Sequence, residues 1–341
     1  MIDKLFVIEG DSNNPHRNLA LEAVLLKRLQ PGECYLYLWQ NKHTVVIGRN
    51  QNALAECHVQ QLEQDGGFLA RRLSGGGAVY HDLGNLNFTM IMNTGDFDVS
   101  RQTGVILQAV QMLGLKGEKN GRNDLTIDGK KFSGHAYYHH DGRSYHHGTL
   151  MMNVDMSRLP KYLNVSPLKL RAKGVQSVQS RVCNLADLNP QITVNAMKDS
   201  LRRAFSAVYG LPVSPLQLTE ADRAFWQSEE AKMSEPEWLY GDVKVLDFSK
   251  EMRFGWGTVR MDYSLSWDKQ SVQEIQLWTD GLDAEFLQEV PGLLRGCLMN
   301  RDRILARLSM SDEASPRIAD DIACMLLPAG YICFFTYFYR D

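Results

Sequence analysis

The chain has 341 residues, 44% of them hydrophobic, and a formal net charge of -3. That length can bury a substantial core and suits two domains better than one, and the near-balanced charge excludes the polybasic surface expected where nucleic acid is the main partner. Six cysteines, at 34, 57, 183, 297, 324 and 333, are scattered with no C-x-x-C pair, which excludes a zinc ribbon and a disulfide scaffold and points to reduced thiols.

In chain order, strands are expected near residues 4 to 9, 34 to 40, 44 to 48, 68 to 73, 78 to 81, 86 to 93, 124 to 127, 130 to 139 and 144 to 154, where β-branched and aromatic residues gather. Helices are expected near 16 to 29, 54 to 64, 100 to 113, 155 to 162 and 192 to 209, where apolar residues recur at three and four. Residues 211 to 247 carry Pro212, Pro215 and Pro236 along with a polar helix. A domain junction is placed at their end, giving domains 1–247 and 248–341. In the second domain, strands near 256 to 267 and 272 to 279 and helices near 283 to 297 and 301 to 309 make a small α+β unit, so the fold class is α+β throughout.

Met1 to Gly10 contains Asp3 and Glu9 and no signal-peptide apolar run, so a cytoplasmic location is expected. Ile322 to Tyr339 is strongly apolar but is broken by Pro328, Gly330 and Thr336 and falls short of the roughly 20 residues a membrane span needs. A buried helix over 318 to 327, ended near Pro328, fits better.

Two stretches carry chemistry. The first, RRLSGGGAVYHDLGNLNF at 71 to 88, reads as strand, loop, strand around Gly75, Gly76 and Gly77. Three glycines in a row cost stability and suggest a backbone that needs positive φ or close contact with a ligand. No Gly-Lys-Ser/Thr follows and no G-x-G-x-x-G occurs, so this is neither a P-loop nor a dinucleotide fingerprint. An ordinary flexible turn would carry the same composition.

The second, GRNDLTIDGKKFSGHAYYHHDGRSYHHGTL at 121 to 150, folds on paper into a three-strand meander, because Asp128-Gly129 and Asp141-Gly142 both favour type I′ turns. Straight register sets Lys131 opposite Thr126, Ser133 opposite Asp124, and His135 opposite Gly148. Lys131, Ser133, Asp124 and Thr126 would then share a face with Leu150 and Met152, and Gly148 would leave room there for an anion. A lysine beside apolar side chains acts strongly on such an anion, although a solvated surface lysine is the commoner fate and a one-residue slip would put Lys130 on this face instead. His135, His139, His140, His146 and His147 crowd the meander, but alternation spreads them over both faces, so no metal site is expected. His147, beside Gly148, is the one that borders the pocket.

Together with PHRNLALEAVLL (15 to 26), YLWQNKHTVVIGRNQN (37 to 52), KGVQSVQSRVCNL (173 to 185), RFGWGTV (253 to 259) and WTDGL (278 to 282), these stretches resemble the lipoate-protein ligase A family, within the wider biotin/lipoate ligase fold. The resemblance runs in the family's order over most of the chain. It implies a mixed-sheet catalytic domain and a C-terminal accessory domain. It also implies a two-step ligase that activates lipoic acid with ATP as lipoyl-adenylate, then passes the acyl group to a lysine of an acceptor. The acceptors implied are apo lipoyl domains of 2-oxoacid dehydrogenase E2 subunits and the glycine cleavage H protein, with no nucleic acid and no membrane.

Residue by residue, the resemblance implies that Arg72 contacts the adenylate and that Gly77, Ala78, Val79 and Tyr80 line the nucleotide. Lys131 touches both the α-phosphate and the lipoyl carbonyl. Ser74, Gly75 and Gly76, with His147 and Gly148, belong to the lipoate pocket, and Gly174, Val178 and Arg181 to a loop closing over the adenylate. Mg²⁺ would neutralise the departing pyrophosphate, with Asp124, or Asn123, as its nearest oxygen ligand. Three rivals remain: an octanoyl- or lipoyl-transferase working through Cys183 without ATP, a biotin ligase, whose pocket motif is missing, and a non-catalytic lipoate-binding protein.

Overall fold

The computed structural model describes residues 1–121, 123–164 and 182–327. It divides into two compact units, Met1–Asp242 and Val243–Asp341.

The first unit is built on a mixed eight-stranded sheet in the order β11-β1-β2-β6-β10-β9-β8-β7. Its strands are β1 (Lys4–Glu9), β2 (Glu33–Trp39), β6 (Asn85–Asn93), β7 (Glu118–Asn120), β8 (Asp124–Ile127), β9 (Lys130–His140), β10 (Arg143–Met151) and β11 (Val213–Pro215). β1 runs parallel to β2 and β11, and the rest of the ladder is antiparallel. A smaller sheet, β4-β3-β5, combines β3 (Thr44–Ile47), β4 (Phe68–Arg71) and β5 (Val79–His81).

Four long helices cover the large sheet: α1 (Pro15–Arg28), α2 (Val99–Met112), α3 (Val194–Tyr209) and α4 (Glu220–Ser234). Each starts at a side chain that satisfies free backbone N–H groups: Asn14 for α1, Asp98 for α2, Thr193 for α3, and a Thr219–Asp222 capping box for α4. Gly210, at φ +70°, ends α3 in the left-handed region that a side chain would resist. Alternation then sorts the strands. Leu36, Leu38, Leu86, Phe88, Met90 and Leu150 pack against α2 and α3, while Tyr35, Tyr37, Trp39, Ile91 and Tyr145 pack against α1 and α4. Both faces are apolar, so a polar group on either one needs an internal partner.

The meander forms with both predicted turns. Asp128, Gly129, Asp141 and Gly142 all have positive φ (49°, 73°, 50° and 70°), as type I′ turns require. Its register departs from the straight one at a single place. Thr126 faces Lys131 as expected, but Leu125 faces Ser133 and Asp124 faces Gly134. The extra residue is Phe132, which is buried in the core between the sheet and α2, and the resulting β-bulge inverts every β9 side chain beyond it. Lys131 therefore keeps Asp124 and Thr126 on its face, while Ser133, His135, Gly148 and Leu150 pass to the opposite one.

The second unit holds a three-stranded antiparallel sheet, β12 (Phe248–Phe254), β13 (Gly257–Leu265) and β14 (Val272–Thr279). Helices Ala284–Leu294, Arg301–Leu308 and Pro316–Leu326 share its core. Strand β12 has no counterpart in the sequence reading, because only half-buried side chains punctuate its polar run. Lys250 on this strand donates to the carbonyls of Met325, Leu326 and Leu327, tying off the end of the last helix. Cys34, Cys57, Cys183 and Cys297 are buried free thiols.

Candidate active site

The bulge places Lys131 on the face of the large sheet that carries Trp39 and His147. Gly134 is what makes room for it: a Cβ on Gly134 would come within 2.7 Å of Lys131 Nζ and 3.9 Å of Thr149 Oγ1. The ammonium is about one-third exposed and lies 2.7 Å from Asp124 Oδ1. Behind it, the Lys131 carbonyl accepts a hydrogen bond from Cys183 N, so the backbone there is fixed. Lys130 is exposed.

Cross-strand pairing turns these residues into one row. Trp39 pairs with Asn87, Asn87 with Thr149, Thr149 Oγ1 accepts from Gly134 N, and Gly134 pairs with Asp124. The next row on the same face runs Tyr37, Thr89, His147, Ala136. Neighbouring strands lie about 4.8 Å apart, so the first row spans an acyl-sized distance from Lys131 to Trp39.

The glycine loop lies against this face. Ser74 Oγ is 2.8 Å from His147 Nε2, and Glu22 on α1 accepts from His147 Nδ1 at 2.8 Å. Thr89 Oγ1 donates to the same Glu22 oxygen at 2.6 Å, and Trp39 Nε1 donates to Thr89 at 3.0 Å. Glu22 is 1% exposed. A carboxyl group so deeply buried is tolerable only because it is hydrogen-bonded, and Glu22 and Ser74 together fix the orientation of the His147 ring. Two more histidines on the sheet, His135 and His146, hydrogen-bond each other on the face covered by α2 and α3, and Gln102 of α2 completes the chain. Burial pushes His135 down to about 3 and His146 well below the usual imidazole range.

Arg72 is fully enclosed and does not present its charge to open space. Nε donates to Ser74 Oγ and Gly75 O, Nη1 to Val46 O, and Nη2 to Gly75 O and Gly77 O. The guanidinium fork fixes the loop carbonyls. Arg71 does the same for the adjoining turn, donating to Gly48, Arg49 and Gln51 carbonyls and to Trp238 and Leu239. Burial lowers both arginines to about 10. Gly76 takes φ +92°, and a Cβ on Gly48 would strike its carbonyl oxygen at 2.2 Å, so the two loops meet backbone to backbone.

Other expected residues fall as follows. Gly77, Ala78 and Val79 are half-buried, and a Cβ on Gly77 would meet open space. The Tyr80 ring turns away and stacks on Tyr162 at 5.7 Å, leaving its backbone in β5 as the part able to line a ligand. Gly148 is corrected: a Cβ there would meet the Phe88 ring at 2.7 Å, on the opposite face from Lys131, so its space is filled by the core. The Asp124 carboxylate holds Lys131, and no cluster of three ligating side chains exists among the described residues. Gly174, Val178 and Arg181 lie outside the described residues.

Glu22, Trp39, Thr89, Asn87, Gly134 and Arg71 escaped sequence reasoning. The available signals were a glutamate on the apolar stripe of α1 and a glycine two residues past the apolar Phe132.

Comparison with known proteins covers both units. The profile of the lipoyl protein ligase A/B catalytic domain matches residues 14–206, and that of the bacterial lipoate protein ligase C-terminus matches residues 245–326. Lipoate-protein ligase A of Psychrobacter cryohalolentis is 36% identical over 335 residues, 95% of this chain and 98% of the relative. A bi-partite lipoate protein ligase, described with its E2 lipoyl domain from Thermoplasma acidophilum, matches with 27% identity and a TM-score of 0.64, covering 72% of this chain and 98% of that one. A lipoate-protein ligase A solved with ATP matches with 26% identity and a TM-score of 0.62, covering 71% and 99%. With matched profiles in each unit and a relative aligned almost end to end, the chain belongs to the lipoate-protein ligase A family.

Proposed function

We propose that this protein activates lipoic acid with ATP and transfers the lipoyl group to a lysine of apo lipoyl domains. The observation that carries this reading is the Lys131 ammonium. It is held over Gly134 at the accessible end of a row whose other end, at Trp39, is buried and apolar. A long acyl chain with one anionic terminus fits such a row.

In the first step a lipoate carboxylate oxygen attacks the α-phosphorus of ATP and pyrophosphate leaves. Two anions must be brought together, so a cation shared between them lowers the barrier, and Lys131 is that cation. In the second step the acceptor lysine attacks the acyl carbon and AMP leaves, with Lys131 polarising the carbonyl and forming no covalent bond. The backbone from Gly77 to Tyr80 would line the nucleotide, and Ser74, Gly75, Gly76 and His147 the acyl group. Mg²⁺ enters as part of the ATP substrate, held chiefly by its phosphates. The acceptors are E2 lipoyl domains and the glycine cleavage H protein, in the cytoplasm. No helix among the described residues is long and apolar enough to cross a membrane.

A transferase working through a cysteine thioester is disfavoured by Cys183. Burial pushes this thiol up, away from the thiolate a nucleophile needs, and its sulfur faces the Lys130 carbonyl at 3.6 Å. The test is lipoate-dependent exchange of pyrophosphate into ATP by the purified protein without acceptor. Acyl transfer from a carrier with no consumption of ATP would overturn the ligase reading.

A further inference from the structure

Asn87 stands in the middle of the row, on β6, flanked by Trp39 on one side and Thr149 on the other. It is 1% exposed. Its Oδ1 accepts from Asn85 Nδ2 at 2.8 Å, which leaves Nδ2 as the donor end of the amide. That Nδ2 is buried and has no hydrogen-bond partner among the described residues.

An unmet buried donor is destabilising, and such groups are few in folded proteins. Replacing Asn87 by an apolar residue of similar size would remove that cost, so packing alone does not account for an amide at this point. The donor shares its face with Lys131 and is separated from Gly134 by one strand, the one carrying Thr149. An acyl chain lying along the row would pass between them.

We propose that Asn87 is a further substrate-binding residue, whose Nδ2–H donates to the carboxyl oxygen of the acyl substrate opposite Lys131. This rests on the reading that the site activates lipoate. Lipoic acid offers a buried amide few acceptors: its carboxyl oxygens are strong ones, its dithiolane sulfurs weak ones. One carboxyl oxygen becomes the bridging oxygen of the adenylate, and the other remains as the carbonyl. A donor fixed on that second oxygen leaves the first free to attack phosphorus. It stays in place when the acceptor lysine later attacks the acyl carbon and charge builds on the same oxygen.

The test compares Asn87→Ala and Asn87→Asp with the parent, by lipoate-dependent pyrophosphate exchange and by calorimetric binding of lipoate alone. Asn87→Ala should lower kcat/KM for lipoate about 10- to 100-fold, the range of one hydrogen bond to a charged group, and leave KM for ATP within about twofold. Asn87→Asp removes the donor, sets a carboxylate beside a carboxylate, and should abolish lipoate binding. Lipoate kinetics unchanged in a folded Asn87→Ala would overturn the proposal, as would an equal rise in both KM values with a lowered melting temperature. If Asn87→Ala does not fold, Asn87→Ser, which restores a short donor, should bind lipoate better than Asn87→Asp, and equal binding would overturn it. Absence of exchange in the parent protein is a different outcome, since that removes the ligase reading itself.

Discussion

Lys131 Nζ lies 2.7 Å from Asp124 Oδ1, directly over the position that a side chain on Gly134 would occupy. The ammonium is thus placed by three local features together: a bulge that turns Lys131 to this face, a glycine that leaves it space, and a carboxylate that holds its end.

Replacing Lys131 by Ala should lower lipoate activation about 10²-fold or more with the fold retained, because the charge acts most strongly in the transition state. Lys130→Ala should cost much less, since Lys130 is exposed and pairs with Ile127 next to the turn. Steady-state pyrophosphate exchange on both variants checks this. Comparable losses would mean that the bulge does not set the working lysine.

Gly134→Ala tests the space rather than the charge. The new methyl would meet Lys131 Nζ and Cε at 2.7 and 2.8 Å, and the flexible end of the side chain would yield before the sheet did. Displacing a catalytic group by about 1 Å can cost up to about 10²-fold, so kcat should fall at least about tenfold while the melting temperature changes little. A fully active Gly134→Ala would show that Lys131 works from another position.

How much of this was legible in the sequence depended on the range of the interaction. The type I′ turns at Asp128-Gly129 and Asp141-Gly142 are decided by two residues each and formed as read. The β-strands of the large sheet likewise follow local alternation, apart from short edge strands such as Glu118–Asn120 and Val213–Pro215. The bulge at Phe132 was not legible, because it reflects competition between regular pairing with β8 and burial of one aromatic ring against α2. A single unpaired residue then moved Ser133, Gly148 and Leu150 to the other face and brought His147 and Thr149 to Lys131. Arg72 was read as a ligand cation since its pattern is that of one. Only the tertiary placement of Val46 and the glycine loop shows that its fork also ties down the loop backbone.

The buried histidines should make the fold acid-sensitive. Burial lowers His81 and His135 to about 3, and His146 well below the ordinary value of 6.5. Their folded forms bind fewer protons than the unfolded chain, so their contribution is fully present above about pH 6.5 and is lost as pH falls from there toward 3, at up to about 1.4 kcal/mol per pH unit for each. Urea titrations at pH 7.5 and 5 would measure the difference. It should shrink in a His135→Asn, His146→Asn double variant, and an unchanged difference would assign the acid sensitivity to other groups.

The last prediction separates the two roles that Arg72 could have. Were it a cation for the adenylate, Arg72→Lys would keep the charge and much of the activity. The structure instead uses its planar fork, with Nε and Nη2 both on Gly75 O, Nη2 also on Gly77 O, Nη1 on Val46 O and Nε on Ser74 Oγ. A lysine ammonium has three donors and no fork, so it cannot reach these acceptors together and leaves buried carbonyls unmet. Arg72→Lys should therefore resemble Arg72→Ala: both should lose about 2 kcal/mol or more of stability and weaken binding of lipoate and of ATP alike. Ser74, which meets His147, and Gly77, where a Cβ would meet open space, are fixed by the same side chain. Chemical denaturation with paired KM measurements would decide it, and an Arg72→Lys protein with parental stability and ATP affinity would return Arg72 to the role of a ligand cation.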